Sequence, residues 1–544
     1  MTVDGSVQSD VTGGESLTAG TDGTALSTQN TVTISADAFI GGDVTGGNVS
    51  GAVLETATFN TVNILGGTFS PASRIMGGAG TLNPSGSDVF TGNTLNVKSA
   101  GVKVGGVENF QLLNFFVPAS LPAGVPALEI SAGGTARLEN GQGTSSAVRV
   151  IIDGAVSPLG PGQTFLLIKT DPGKLEGTPD PLASGGSLTL GVTLKYGLGI
   201  TADNSAGLLT ASVTSMPAEA DERAKSISAG RLTGLALTAQ GADLVSGQGM
   251  EAAVSAARGA ARGGTNTGFG VSAFAAASAG RSRYDTGSHV DVSGMVLVAG
   301  VSFGIGLESG TLTVAPFVEY GTGSFDTFNS FVSSAQVRGS GDVRHAGGGI
   351  MIRMDFDGPG PGGLYLEASG RAGRVRTDFM SEDLRSAAGV AASYGLETAY
   401  RGVHAGIGYV WDVSDRVTAD IYAKYLWTRQ KGGTVRLSTG DLVTFGDADS
   451  SRARTGFRLS YRASGWAVLY AGAAWEHEFD GEMAASAYGF PIRRPSLRGG
   501  TGIGEIGASL RLSESVPLTL ELGARGYIGR RKGFSGSFMI SFEF

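Results

Sequence analysis

From about Thr267 to Phe544 the chain repeats one pattern, in which apolar residues take every second position and polar residues fill the gaps. Val417, Ala419, Ile421, Ala423, Tyr425 and Trp427 share one face, and Thr418, Asp420, Lys424 and Thr428 the other. Leu518, Leu520, Leu522 and Ala524 oppose Thr519, Glu521 and Arg525, and Phe457, Leu459 and Tyr461 oppose Arg458, Ser460 and Arg462. The final stretch alternates Phe534, Phe538, Ile540, Phe542 and Phe544 with serines and Glu543. A period of two belongs to strands, so each segment has one greasy and one polar face. In a soluble sandwich the polar face looks outward. In a membrane-spanning barrel it lines the lumen.

Connection lengths separate the two. Brief turns read at Glu308–Gly310, Asp357–Gly363, Asp412–Arg416, Ala463–Gly465 and Ser513–Ser515. Longer stretches lie between them, near Asp326–Ser340, Phe379–Ala399, Gln430–Ser451 and Asp480–Arg498. Alternating short turns and long loops are the habit of outer-membrane barrels. About twelve strands are expected, an even number that puts both barrel ends on one side. Tyr409, Trp411, Tyr425 and Trp427 lie near strand ends, where interfacial aromatics belong. The segment Trp466–Trp475 shows no clean alternation, and its faces stay unassigned.

Composition agrees with this reading. Only 16% of residues are charged and the net charge is −8, which gives no general pull on nucleic acid. No apolar run reaches the length of a membrane helix, a test that barrel strands escape. There is no cysteine, hence no disulfide, thiol catalysis or cysteine-held metal. The N-terminus shows no basic region followed by an apolar stretch, so no secretory signal is read there. The expectation is a chain that is not exported, or one that starts downstream of its natural start.

The first 214 residues have another rhythm. Short apolar patches such as Val32-Thr-Ile34, Phe59-Asn-Thr-Val62-Asn-Ile64 and Leu95-Asn-Val97 recur between Gly-Gly turns. This predicts the stacked coils of a parallel β-helix, although the irregular period leaves a sandwich open. A helix is expected from Pro217 to about Ala242, opened by proline and by Glu219, Asp221 and Glu222 at its positive end. Its many small residues fit either a surface linker or a helix threaded through a pore.

Catalytic patterns do not survive their context. Gly300-Val-Ser302-Phe-Gly304 fits a nucleophile elbow, which needs a strand-to-helix turn, yet it sits within a predicted strand. Gly502-Ile-Gly504-Glu-Ile-Gly507 fits a dinucleotide fingerprint without the βαβ unit that gives it meaning. His289, His345, His404 and His477 lack metal-ligand spacing. The expectation is a chain that is no enzyme and needs no cofactor or metal. Lumen-facing Glu367, Arg371, Asp420, Lys424, Arg458, Arg462, Glu521 and Arg525 are candidates to pair across the barrel and with Arg223, Lys225 or Arg231 of the helix. Ordinary solvated lining is the competing account.

Residues from about Gly105 to Phe544 resemble the autotransporters of Gram-negative bacteria, the type V secretion family. Arg231-Leu-Thr-Gly-Leu-Ala-Leu-Thr-Ala-Gln-Gly-Ala-Asp-Leu-Val245 looks like that family's linker helix, Phe269–Phe274 like its first barrel strand, and Gly402–Trp411 like a mid-barrel strand. Val107–Phe110, Leu159–Ile168 and Leu208–Val213 resemble the end of a β-helical passenger. The resemblance implies an all-β chain. A right-handed parallel β-helix would occupy 1–214, with 105–214 as folding stem. A linker helix would thread the lumen over 215–262, and a twelve-stranded antiparallel barrel would follow over 263–544. It implies that Phe538, Ile540, Phe542 and Phe544 are the insertion signal read by the barrel assembly machinery. The implied partners are outer-membrane lipid, that machinery, periplasmic chaperones and a host or cell-surface ligand for an adhesin-like passenger, with a monomeric barrel. A porin and an enzymatic passenger are the alternatives. The linker has no Asn-Asn, so the family's self-cleavage at such a junction is not expected.

Overall fold

The computed structural model describes residues 1–17, 23–51, 54–80, 86–118, 121–122, 124–153, 162–184, 186–215, 220–263, 269–357, 362–386, 389–511 and 518–543. It divides into two units: Met1–Glu219 with Arg385–Val390 and Thr439–Asp441, and the remainder.

In the first unit the apolar patches stack. Val32, Val62, Leu95, Leu113 and Val148 lie side by side, as do Ile34, Ile64, Val97, Phe115 and Val150. Every pairing along this sheet is parallel, which removes the sandwich reading and leaves stacked coils. Both columns are buried. Beside them runs an outward ladder. The Asn63 amide donates to Thr33 (3.1 Å), Asn96 to Asn63 (2.8 Å) and Asn114 to Asn96 (2.8 Å), at steps of 30, 33 and 18 residues. The irregular spacing is therefore a property of the fold, because surface turns absorb different lengths while the rungs stay in register.

One corner is built from a repeated device. Gln29 (φ 61°), Phe59 (φ 58°) and Gly92 (φ 69°) are left-handed, and each precedes an asparagine turned inward, Asn30, Asn60 or Asn93. Asn60 Oδ1 accepts from the Asn30 backbone (3.0 Å) and side chain (2.9 Å), and Asn93 Oδ1 from the Asn60 backbone (2.9 Å). The Asn93 amide donates to the carbonyls of Ala57 (2.8 Å) and Val89 (2.7 Å). Asparagine tolerates such turns and satisfies backbone groups that the corner strips from the ladder. The coils end where Thr164–Lys169 pairs antiparallel with Leu208–Ser215, which pairs antiparallel with Leu194–Asp203. Residues 159–161 of the predicted end segment lie outside the described residues.

The second unit is a closed antiparallel barrel of twelve strands: Phe269–Asp285, His289–Leu307, Gly310–Asn329, Val337–Phe356, Gly362–Arg385, Ala391–Ser414, Val417–Gln430, Ala448–Arg462, Ala467–Glu478, Gly499–Arg511, Leu518–Gly529 and Arg531–Glu543. The first strand pairs with the last, Ala275 opposite Ile540. Ile350, Ile352, Val403, Ile407, Ile421, Phe457, Leu459, Leu522 and Phe538 stand exposed on the outside, while their polar neighbours turn inward. In water such a surface would be a severe aggregation liability. In a bilayer it is the lipid face.

Two expectations need correction. Much of Asp326–Ser340 and Phe379–Ala399 is strand, not loop, and the strands Gly362–Arg385 and Ala391–Ser414 are each 24 residues long. About ten residues cross a bilayer. Beyond that height the outward residues become charged (Arg376, Asp378, Glu397), so hydropathy alternation stops while pairing continues and Phe379 and Tyr394 stay buried inside. The predicted loops Gln430–Ser451 and Asp480–Arg498 also carry structure, supplying Gly433–Arg436, Leu442–Phe445, Ala485–Ala487 and Phe490–Ile492 to a small four-stranded sheet. The unassigned Trp466–Trp475 segment is regular, with Leu469 and Trp475 outward and Tyr470 and Glu476 inward. The predicted turn Ser513–Ser515 lies outside the described residues.

Candidate functional site

The lumen is filled by helix. Asp221 caps a short turn at Glu222–Ala224 by accepting from the Arg223 backbone (2.8 Å). Then follow α1 (Lys225–Leu244), a π-turn at Val245–Gly249 and α2 (Met250–Gly263). The helix therefore runs past the predicted end near Ala242. Its predicted start at Pro217 lies outside the described residues. Every residue of α1 except Gln240 is buried, although Lys225, Arg231 and Asp243 are charged. A helix without a greasy stripe can be buried all round only if a polar wall answers it.

The wall answers at several heights. Toward the start of α1, Tyr394 donates its hydroxyl to the Ile227 carbonyl (3.0 Å). Arg231 is fully buried, and its guanidinium donates to Thr377 Oγ1 (3.3 Å), Thr398 Oγ1 and the Lys431 carbonyl (3.2 Å). Midway, Arg371 binds Glu319 (3.0 Å) and reaches the Thr238 carbonyl (2.6 Å), while Tyr400 donates to Glu319 (2.6 Å). A Cβ on Gly241 would stand 3.0 Å from Arg371 Nη1 and 3.2 Å from Glu319 Oε2, so a side chain there would have to displace this ion pair.

The densest contact centres on Asp243. Its carboxylate accepts from Arg452 Nη1 (2.7 Å), Arg454 Nη2 (2.6 Å) and Arg531 Nη1 (3.0 Å). Glu476 shares Arg452 and Arg454. Arg452 Nη2 also donates to the Ala239 carbonyl (3.0 Å), and Arg531 Nε to Ser282 on the first strand (2.9 Å). These charged side chains are all at least 92% buried. Below this, Lys424 donates to the Ser246 carbonyl (2.6 Å), freed by the π-turn, and pairs with Glu367 (2.7 Å). Arg458 joins Glu251 of α2 (2.6 Å) to Glu505 (2.7 Å). Ser302 of the elbow-like motif lies in a strand and donates to the Ala253 carbonyl (2.6 Å).

The candidate charges thus divide. Glu367, Arg371, Lys424 and Arg458 reach the helix directly or through one partner. Arg525 pairs with Glu505 (3.0 Å), Asp420 accepts from Tyr365 (3.0 Å), and Glu521 accepts from Tyr470 (2.9 Å). Of the basic helix residues, Arg258 of α2 meets the lumen carboxylate of Asp355 (2.8 Å), whereas the three expected ones are placed differently. Arg223 pairs with Asp221 (3.1 Å), Arg231 takes neutral oxygens, and Lys225 has no ion pair among the described residues. The polarity of the main docking contacts is the reverse of the one expected, because the helix brings acids, Asp243 and Glu251, to a wall of arginines. Missed by sequence were those two acids and Glu319, Arg452, Arg454, Glu476, Glu505 and Arg531. A lone acid in a Gly/Ala/Leu helix was the available signal for Asp243. Of the expected insertion residues, Phe538, Ile540 and Phe542 lie opposite Leu522, Leu520 and Leu518. Phe544 lies outside the described residues.

Direction follows from connectivity. α2 ends at Gly263, next to the start of the first strand and hence at the end of the barrel with the brief turns. At the other end Ala220 donates its N–H to the Pro491 carbonyl (3.1 Å), within a long loop. Ala220 therefore sits among the long loops.

Residues 295–523 match the family model of the autotransporter β-domain. Among the solved structures that resemble the chain are three autotransporter domains. The β-domain of the Bordetella autotransporter BrkA is 17% identical, with 51% of this chain and 100% of that one covered and a TM-score of 0.39. The translocator domain of NalP from Neisseria meningitidis is 17% identical, with 56% and 97% covered and a TM-score of 0.40. The transport unit of AIDA-I from Escherichia coli is 16% identical, with 50% and 90% covered and a TM-score of 0.40. No curated protein matches the sequence.

Proposed function

We propose, on the premise that this chain carries an autotransporter β-domain in the outer membrane of a Gram-negative bacterium, that it exports its own N-terminal coils and holds them at the cell surface as an adhesin-like structure. The observation that carries this reading is the route of the linker, which runs from the turn end, through a lumen that it fills, and out among the long loops. Long loops face the exterior in such barrels. The asparagine ladders and stacked apolar columns supply a rigid stalk with repeated polar faces, a surface suited to binding and not to catalysis. Assembly would use the general barrel insertion machinery and periplasmic chaperones, with the outward column Phe538, Ile540 and Phe542 at the closing strand as the recognised element. The decisive experiment is proteolysis of intact cells. Removal of 1–213 with the barrel protected is expected, and protection of the whole chain overturns the reading. A passive channel is the competing function. A large steady conductance of the whole chain in a planar bilayer would favour it, and a closed pore is expected.

A further inference from the structure

Just above the lipid-facing band, toward the long loops, arginines face outward on four consecutive strands. Arg344 lies directly opposite Arg376 on the fourth and fifth strands, and Arg401 directly opposite Arg429 on the sixth and seventh. Arg374, 79% exposed, stands one rung nearer the membrane, opposite Ala346. Like charges facing each other across a ladder destabilise a sheet, and two such pairs occur on these four strands.

Internal pairing answers them only in part. Arg374 binds Glu397 (2.9 Å), Arg376 binds Asp378 (2.9 Å) and Arg429 binds Asp449 (2.8 Å). Arg344 approaches Asp378 only to 4.0 Å, and Arg401 has no ion pair among the described residues. Asp378 lies one rung farther from the membrane, where Asp342 faces it, and Asp449 stands directly opposite Arg429. Arg344 and Arg401 are therefore the members of the patch with no carboxylate closer than 4.0 Å among the described residues. The guanidinium carbons of Arg401 and Arg429 sit 5.7 and 5.6 Å from the centre of the Trp427 ring, an aromatic placed to mark the interface. Below Arg344 and Arg374 the wall is low, because Ala346, Gly348, Gly370 and Ala372 carry little or no side chain.

We propose that this patch binds the phosphorylated headgroup of an outer-leaflet glycolipid, with its acyl chains on the low wall beneath. Guanidinium forks match phosphate oxygens in shape and charge. A phosphate seated between facing arginines converts their repulsion into shared attraction. Its level at the band's edge is where a lipid, and not a soluble anion, presents phosphate. The proposal rests on the barrel being a membrane barrel.

The test uses the full chain in detergent micelles. Heat-modifiable gel mobility reports the folded barrel, and native mass spectrometry reports binding of a bisphosphorylated glucosamine-disaccharide lipid. The triple variant Arg344→Gln, Arg374→Gln, Arg401→Gln is expected to keep the folded mobility and to bind at least about tenfold more weakly. Arg281→Gln with Arg283→Gln, on the first strand, should change binding less than about twofold. Equal loss in both variants, equal binding of the dephosphorylated lipid, or displacement by equimolar inorganic phosphate would each overturn the proposal. Failure of the wild type to show any heat-modifiable form would instead remove the membrane-barrel premise itself.

Discussion

Replacing Asp243 with asparagine should loosen the lumen helix more than any other single change of charge on it. The native carboxylate meets three guanidinium groups at 2.6–3.0 Å, with every partner at least 92% buried. Asparagine keeps the shape and one acceptor oxygen, but Arg452 and Arg454 are then left with Glu476, and Arg531 with no carboxylate pair among the described residues. Breaking a buried pair costs about 3–5 kcal/mol, chiefly because a stranded charge remains out of water. Since an oxygen is retained, the low end applies, about 3 kcal/mol, or about a hundredfold in the docked-to-undocked ratio. Single-channel recording in planar bilayers should show Asp243→Asn opening about a hundredfold more often than wild type. Glu251→Gln is the internal comparison. It loses one arginine, its side chain is 30% exposed, and about 1 kcal/mol or less is expected. Removing Arg531 as well, as Gln, should recover part of the loss, because one stranded cation goes with it. If Asp243→Asn opens no more often than Glu251→Gln, the carboxylate does not hold the helix and the reasoning fails.

Gly241→Val gains helix propensity of about half a kcal/mol yet should reduce surface display of the N-terminal region, because its side chain enters the space of Arg371 and Glu319; protease accessibility on whole cells measures it. Asn60→Ala orphans the Asn30 backbone N–H and the Ser27 carbonyl, at about 1–3 kcal/mol each where burial is complete. Faster limited proteolysis near residue 60 is the readout. Asp88 provides a pH dependence. Burial raises its carboxyl pKa, but hydrogen bonds from the Thr91 side chain and from the backbone N–H groups of Thr91 and Phe90 outweigh this and leave it below the usual value. A depressed carboxylate stabilises the fold in full above its unfolded pKa of about 4 and loses that stabilisation as pH falls through the folded value. Proteolysis of the coils should accelerate below about pH 4, and Asp88→Asn should flatten that response.

Strands such as Val417–Gln430 and Leu518–Gly529 were legible because lipid and lumen impose opposite chemistry on alternate residues. Ala467–Glu478 was not, since Ala471, Gly472, Ala473 and Ala474 encode the two faces by nothing that hydropathy registers. The strand extensions around Arg376 and Tyr394 were lost for a related reason, as above the lipid the contrast inverts, with charge outward and buried Phe379 and Tyr394 inward. The lumen pairings were the least legible. Which wall arginine meets Asp243 depends on barrel shear and on the depth of the helix, and neither leaves a trace in residue spacing. Arg231 was expected to meet lumen charges, but its partners are neutral oxygens from three separate segments.

Arg531 belongs to the last strand to be made, and it touches both the opening strand, at Ser282, and the helix, at Asp243. Zipping the final seam around an empty lumen would seal that guanidinium, with Arg452 and Arg454, into a chamber short of negative charge. Occupancy and closure are thus written into one residue. The closed wall is most stable with the helix inside it, because Asp243 is the acid that three of its buried arginines share.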